Sequence, residues 1–277
     1  MPRVLLDVPI TFDVGGQLTH APMVHASIHG TPTKLIVDTG SDVHILTIEL
    51  AEQLGLRAEP GEAGTDSSGA SVASWTLGGV QVEIADQAFE LQDVVAITAP
   101  APFPGWGIGG ILSPQKLHRS AWAMLDLAAD RFVLLDGDEA DVTAWLTART
   151  PALQLLRLER VTGDDTILVR AAIDPFDEVV TMLDSGGKRT GFTSSAVPYS
   201  NRGPQTSSGR GVGGAEHFGM ELTDRTLLVG GARVPLRTLI VEAEMDGRDG
   251  LVGMDVLRGT VLTVSGDSHR PVIWQVV

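Results

Sequence analysis

The feature that most constrains this chain is a short pattern that occurs once in each half. In LIVDTGSDVHIL an apolar run leads to Asp38 and then Thr-Gly, and in VVTMLDSGGKRT a similar run leads to Asp184 and then Ser-Gly. The apolar and β-branched residues favour a buried strand that ends at the aspartate, and the glycine two positions later permits a tight turn. One such loop is an ordinary turn, whereas two suggest a duplicated unit.

Further similarities follow the two aspartates in the same order. The matched segments are residues 76–82 with 226–234, 109–117 with 249–257, and 124–135 with 261–274. Because several matches in one order rarely arise by chance, we interpret the chain as two tandem copies of one unit. We place the join in residues 136–151. This predicts an N-terminal lobe of residues 1–149 and a C-terminal lobe of residues 150–277.

The composition favours an all-β fold for both lobes. Hydrophobic residues make up 43% of the chain, enough for a core, and 32 Gly and 15 Pro punctuate short runs of Val, Ile, Thr and Leu. Few helices are expected. Thr47, Ser113 and Asp138 are the predicted N-caps, and residues 189–197 after the second aspartate are expected to form a short helix.

Several classes of function are excluded or disfavoured by the residues present. The absence of cysteine excludes disulfides and thiolate catalysis, and the net charge of -15 disfavours nucleic acid as a partner. The histidines form no H-E-x-x-H motif, so we expect no metal and no cofactor. Two G-x-G-x-x-G matches, residues 105–110 and 209–214, are not followed by the helix pattern that dinucleotide binding requires.

The chain also lacks obvious membrane or export signals. No apolar run approaches the roughly 20 residues that span a bilayer, and the start lacks the apolar core of a signal peptide. We therefore expect no membrane span. The location stays open, and a cytoplasmic protein is expected if Met1 is the native start.

Two aspartates on facing loops can perform chemistry that one cannot. Like charges close together do not both ionise easily, so such a pair holds one proton. The ionised member can take a proton from water while the protonated member donates to a carbonyl oxygen. The pair could therefore hydrolyse an amide by general acid–base catalysis.

The segments LIVDTGS and GILSPQKL, with TMLDSGG and DGLVGMDVL in the second half, resemble the signatures of retropepsin-like aspartic proteases. In that family a single lobe homodimerises, whereas two tandem units are similar to the bilobal, pepsin-like arrangement. The resemblance implies two retropepsin-like β-barrel lobes, a central cleft under glycine-rich flaps, and an endopeptidase whose peptide or protein substrate binds in extended form. We expect a monomer, because both aspartates lie on one chain.

The resemblance also implies roles by position, with Asp38 and Asp184 as the catalytic pair. The loop-bracing residues would be Thr39, Gly40, Ser41, Ser185 and Gly186, and the flap or substrate-binding residues would be Ser67, Ser68, Gly69, Gly209, Gly211 and Gly213. Gly187 stands in the second loop where Ser41 stands in the first. Because we expect the Ser41 hydroxyl to bond the outer oxygen of Asp38, we predict that Asp38 is the more acidic member and Asp184 holds the proton.

Two other interpretations stay open. The first is a peptide-binding protein of the same fold that is catalytically weak or inactive, which the ordinary Ser-Gly-Gly turn of the second loop suggests. The second is an enzyme that processes only its own N-terminal segment.

Overall fold

A computed structural model describes residues 1–66, 71–161, 165–198, 205–210, 216–242, 245 and 247–276. Strands predominate and helices are short, which confirms the predicted all-β class.

The first half of the chain runs from an outer strand to a linker helix. In chain order its elements are β1 Arg3–Pro9, β2 Thr11–Val14, β3 Gln17–Ile28, β4 Thr31–Val37, β5 His44–Thr47, α1 Ile48–Gln53, β6 Ala58–Pro60, β7 Gly64–Thr65, β8 Ser71–Val72, β9 Ser74–Leu77, β10 Val80–Ile84, β11 Gln87–Leu91, β12 Val94–Ile97, α2 Phe103–Trp106, β13 Ile108–Leu112, α3 Pro114–Leu117, β14 Trp122–Asp126, β15 Arg131–Asp136 and α4 Glu139–Arg149.

The second half of the chain begins with another outer strand and ends with a hairpin. Its elements are β16 Gln154–Leu158, β17 Leu168–Ile173, β18 Val179–Leu183, β19 Gly191–Thr193, β20 Gln205–Arg210, β21 Glu216–Val229, β22 Ala232–Glu242, β23 Gly250–Val252, α5 Met254–Leu257, β24 Val261–Ser265 and β25 Val272–Val276.

A sheet built from both halves joins the two lobes. Its strand order is β1-β15-β14-β24-β25-β16, so each half contributes a hairpin and one outer strand. The halves meet where β14 pairs antiparallel with β24, with Met124 opposite Thr263. From either edge of the sheet the order is an outer strand followed by a hairpin, as expected for two copies related by a pseudo-twofold axis. The boundary between residues 149 and 150 stays a prediction.

Each half also has a sheet of its own, and both sheets repeat one topology. In the first, β4 pairs in parallel with β13, which pairs with β5, and β5 pairs in parallel with β12. In the second, β18, β23, β19 and β22 take these places with the same directions. The apolar runs that precede the two aspartates are therefore the buried strands β4 and β18.

One of the sequence matches is out of register. Val82 of β10 pairs with Ile28, whereas Leu227 of β21 pairs with Ile173. Val82 therefore corresponds to Leu227, and the match of residues 76–82 with 226–234 is wrong. The two Gly-Gly pairs that suggested this match lie in different turns. A Gly-Gly dipeptide indicates a tight turn but does not indicate which strands that turn connects.

The predicted caps are mostly present, but one helix is not. Thr47 accepts a hydrogen bond from the N–H of Leu50, and Asp138 accepts one from the N–H of Asp141. Ser113 occupies the N-cap of α3 without a side-chain capping bond. The helix expected in residues 189–197 is wrong: this segment contains β19, whose pairing with β22 and β23 overrides its local preference.

The linker helix α4 closes the outer face of the shared sheet. Its buried residues Val142 and Leu146 pack with Trp122, Met124 and Ile273 from both halves. None of the helices in the described part of the chain has the length and apolar character needed to cross a bilayer.

A glycine in β13 is required by close packing between strands. A Cβ atom at Gly110 would lie 2.0 Å from the main-chain oxygen of Ile45, which cannot move without breaking the β5–β13 pairing. We predict that Gly110→Ala lowers the free energy of unfolding by about 3 kcal/mol or more, measured by urea denaturation.

Gly105 is the matched control, because its Cβ would meet no atom within 4 Å. Gly105→Ala should leave stability within about 1 kcal/mol of the wild type. Equal losses in the two variants would contradict the packing argument.

Candidate active site

The first loop begins where β4 ends. Leu35 and Val37 are buried, and the main-chain N–H of Asp38 donates to the carbonyl of Leu112, the last residue of β13, at 3.0 Å. The N–H of Gly40 then turns back to Asp38 Oδ1 at 2.8 Å. The parallel strands β4 and β13 thus hold the carboxyl group in a fixed position at their ends.

The second loop begins in the same way. The N–H of Asp184 donates to the carbonyl of Val252 at the end of β23, at 3.0 Å. Asp184 Oδ1 accepts hydrogen bonds from the N–H groups of Gly186 and Gly187, each at 2.8 Å. The ordinary Ser-Gly-Gly turn of the sequence therefore supports its carboxylate with two backbone donors.

Thr39 and Ser185 join the two loops by reciprocal hydrogen bonds. Thr39 Oγ1 donates to the carbonyl of Leu183 at 2.7 Å and accepts from the N–H of Ser185 at 3.0 Å. Ser185 Oγ donates to the carbonyl of Val37 at 2.8 Å and accepts from the N–H of Thr39 at 3.0 Å. Both side chains are fully buried, so water does not compete for the hydrogen bonds of either hydroxyl.

These bonds bring the two carboxyl groups together. The N–H of Gly186 donates to Asp184 Oδ1 at 2.8 Å and also to Asp38 Oδ1 at 3.2 Å. A Cβ on Gly186 would lie 2.4 Å from Asp38 Oδ2, and one on Gly40 would lie 2.7 Å from Asp184 Oδ1. Each glycine therefore lets its backbone approach the aspartate of the opposite loop.

The two carboxyl groups influence each other. Removal from water is the main cause that raises the pKa of Asp38 well above its usual value, and the charge of Asp184 and a hydrogen bond between the two side chains raise it further. Two acidic groups this close share a proton and titrate as a pair.

The hydrogen bond on which the sequence-based hypothesis of a more acidic Asp38 depends is absent. The Ser41 hydroxyl donates to the carbonyl of Val43 at 2.7 Å rather than to Asp38. Each carboxyl group instead accepts two backbone N–H bonds, Asp38 Oδ1 from Gly40 and Gly186, and Asp184 Oδ1 from Gly186 and Gly187.

Comparisons with known proteins found two similarities. Residues 24–113 match the family model described as Aspartyl protease, a segment that contains the first loop and β13. This similarity to the aspartyl protease family lies within the first half of the chain. The crystal structure of aspartic proteinase from Irpex lacteus superposes with a TM-score of 0.53 and 10% identity, covering 98% of this chain and 97% of that chain. This likeness shows a common bilobal fold. No curated protein matches the chain.

Beneath the first loop of this aspartic protease fold lies a buried polar network that sequence reasoning missed. Ser113 Oγ and Gln115 Nε2 both donate to the carbonyl of Ser41 at 2.8 Å, and the N–H of Ser113 donates to His44 Nδ1 at 3.2 Å. Because Nδ1 accepts, His44 is the neutral tautomer with its proton on Nε2.

The second loop has a related support. The N–H of Gly253 donates to Thr190 Oγ1 at 3.2 Å, and that hydroxyl donates to Asp255 at 2.8 Å. Burial raises the pKa of Asp255. His44 and Thr190 are each the sixth residue after their aspartate. This equal spacing is the signal in the sequence that could have identified them.

Two pairs of strands border the predicted flap segments along the chain. Gly64 and Thr65 of β7 pair with β8, and Gly209 of β20 pairs with His217 of β21. The remaining residues of that prediction lie outside the described part of the chain: Ser67, Ser68, Gly69, Gly211 and Gly213. Their flap role, like that of Gly209, stays a prediction.

Within the described residues, no cluster of three or more His, Asp or Glu side chains could hold a metal ion.

The hydroxyl of Thr39 is predicted to matter far more than that of Ser41. Thr39→Val leaves the Leu183 carbonyl and the Ser185 N–H buried without their partner, which should cost about 2–4 kcal/mol of unfolding free energy. Ser41→Ala removes one local bond and should cost about 1 kcal/mol. Urea denaturation of both variants tests this, and equal losses would argue against the Thr39 bonds as the main connection between the loops.

His44 is predicted to weaken the fold in acid. Burial is the main cause that lowers its pKa from 6.5 to about 4. The unfolded chain therefore binds a proton at His44 between these values, whereas the folded chain does not. Stability should fall as the pH drops below 6.5 and level off near 4, by roughly 3 kcal/mol in all.

His44→Asn is the matched variant, because its Oδ1 can still accept from Ser113. We expect urea denaturation between pH 7 and pH 4 to show that His44→Asn loses roughly 3 kcal/mol less unfolding free energy than the wild type. Parallel curves would rule out His44 as the group responsible.

Proposed function

We propose that this chain is an aspartic endopeptidase in which Asp38 and Asp184 activate one water molecule. The observation that carries the proposal is the shared donor: one N–H, that of Gly186, bonds a carboxyl oxygen of each aspartate. Two carboxyl groups held this close by a rigid backbone favour the singly protonated state that general acid–base hydrolysis requires.

The two aspartates have separate roles in the proposed mechanism. Asp184 is the proposed general base, which takes a proton from the water as the water oxygen attacks the carbonyl carbon. Asp38 gives its proton to the carbonyl oxygen, which forms a tetrahedral diol. Asp184 then protonates the leaving nitrogen, the C–N bond breaks, and Asp38 recovers a proton from the diol.

The proposed substrate is a peptide or protein segment bound in extended form between the lobes. The hairpins β7–β8 and β20–β21 are the proposed flaps over it. A peptide that adds main-chain hydrogen bonds to such edges needs no particular sequence for most of its affinity. Because one chain supplies both carboxyl groups, we propose that the active species is a monomer.

The central prediction is that neither aspartate is dispensable. Asp38→Asn and Asp184→Asn should each lower kcat/KM on denatured casein or a quenched fluorescent peptide by at least about a thousandfold, since each removes one half of the acid–base pair. Pepstatin should inhibit the wild type. The activity of the wild type should persist to higher pH than an isolated aspartic acid would allow, because the pKa of Asp38 is raised.

Asp42→Asn is the matched control, since this exposed carboxylate lies in the same loop but outside the pair. It should retain activity. Cleavage that survives in either dyad variant would refute the shared-proton mechanism. A wild type that binds peptides without cutting them would identify the alternative, a catalytically inactive peptide-binding protein.

A further inference from the structure

His20 reaches across the molecule to the second aspartate loop. It lies on β3 of the first half, and its Nε2 is 3.0 Å from the main-chain oxygen of Gly186. A carbonyl oxygen can only accept a hydrogen bond, so Nε2 carries a proton and donates. The sequence offered no reason to connect this histidine with Asp184.

The contacted carbonyl belongs to the amide that links Gly186 to Gly187. The N–H of this same amide donates to Asp184 Oδ1 at 2.8 Å. In a trans amide the C=O and N–H point in opposite directions, so the imidazole, the amide and the carboxylate form one chain of hydrogen bonds. Donation to the oxygen polarises the amide and makes its N–H a stronger donor.

The corresponding amide of the first loop makes only part of this arrangement. The N–H of Ser41 donates to the main-chain oxygen of Asp38 at 3.4 Å, and the N–H of Gly187 likewise donates to the main-chain oxygen of Asp184 at 3.3 Å. The N–H of Gly187 also donates to the side chain of Asp184, at 2.8 Å. The His20 contact therefore acts on the amide that makes this additional bond.

We propose that His20 is a positioning residue for the dyad: through the Gly186–Gly187 amide it stabilises the carboxylate form of Asp184 and so keeps the shared proton on Asp38. The inference deepens the proposed function. It concerns the proton balance of the pair, which can be measured without a substrate.

Opposing influences act on the pKa of His20. Partial removal of the ring from water is the largest cause that lowers this pKa, and the hydrogen bond to Gly186 raises it. The positive charge of Lys188 lowers it and the charge of Asp184 raises it. A neutral ring with its proton on Nε2 still donates to the Gly186 carbonyl.

The test compares His20→Leu with His20→Gln in the full chain. Leucine has no donor, whereas the Nε2 of glutamine can still donate to the Gly186 carbonyl. His25→Leu is the control, because His25 is an exposed residue on the same strand, five positions away. The side-chain carboxyl carbons of aspartate are followed by ¹³C NMR from pH 2 to pH 8, with Asp38→Asn and Asp184→Asn used for assignment.

We expect the lower apparent pKa of the pair to rise by about half a unit in His20→Leu, because the Asp184 carboxylate loses part of its support. His20→Gln and His25→Leu should titrate like the wild type. A titration that is unchanged in His20→Leu, or altered equally in His20→Gln, would overturn the proposal, and circular dichroism verifies that each variant is folded.

Kinetics separate this inference from the proposed function. If the wild type cleaves peptides, the acidic limb of its kcat profile should move to higher pH in His20→Leu, with a roughly threefold loss on that limb and little change in KM. If the wild type cleaves nothing, the proposed function fails, and the NMR titration still decides the role of His20.

Discussion

The structure of this site depends on two buried hydroxyl groups that exchange hydrogen bonds across the pseudo-twofold axis. Thr39 and Ser185 each bond the backbone of the opposite loop, and neither is exposed to water. Two carboxyl groups held at this distance repel each other when both are ionised. The hydroxyl bonds, together with the sheet that both halves build, supply the rigidity that opposes this repulsion.

Near-symmetry of the backbone produces an asymmetric pair. The two loops leave equivalent parallel strands and turn at equivalent glycines, yet their N–H groups are distributed unequally between the carboxyl oxygens. The shared N–H of Gly186 is the clearest departure from symmetry, because it bonds both aspartates whereas the N–H of Gly40 bonds only Asp38. The supports beneath the two loops also differ. His44 accepts a hydrogen bond beneath the first loop, whereas Thr190 and Asp255 take this place beneath the second loop.

The sequence predicted the features that are local. An apolar run followed by Asp-Thr-Gly or Asp-Ser-Gly identifies a strand that ends in a tight turn, and Thr47 and Asp138 identify helix starts. Features that depend on strand pairing were harder to predict. Residues 189–197 were expected to be helical and contain a strand, and the glycine-rich match of residues 76–82 was assigned to the wrong turn.

What the sequence by itself determined is the duplication, the all-β class and the position of one carboxyl group at the end of a buried strand in each half. These follow from periodicity and turn chemistry over a few neighbouring residues. Only the tertiary structure decided which donors each carboxyl group receives, and that His20 and His44 contact the two loops. Those outcomes depend on hydrogen bonds between residues far apart in the chain, whose geometry no local pattern encodes.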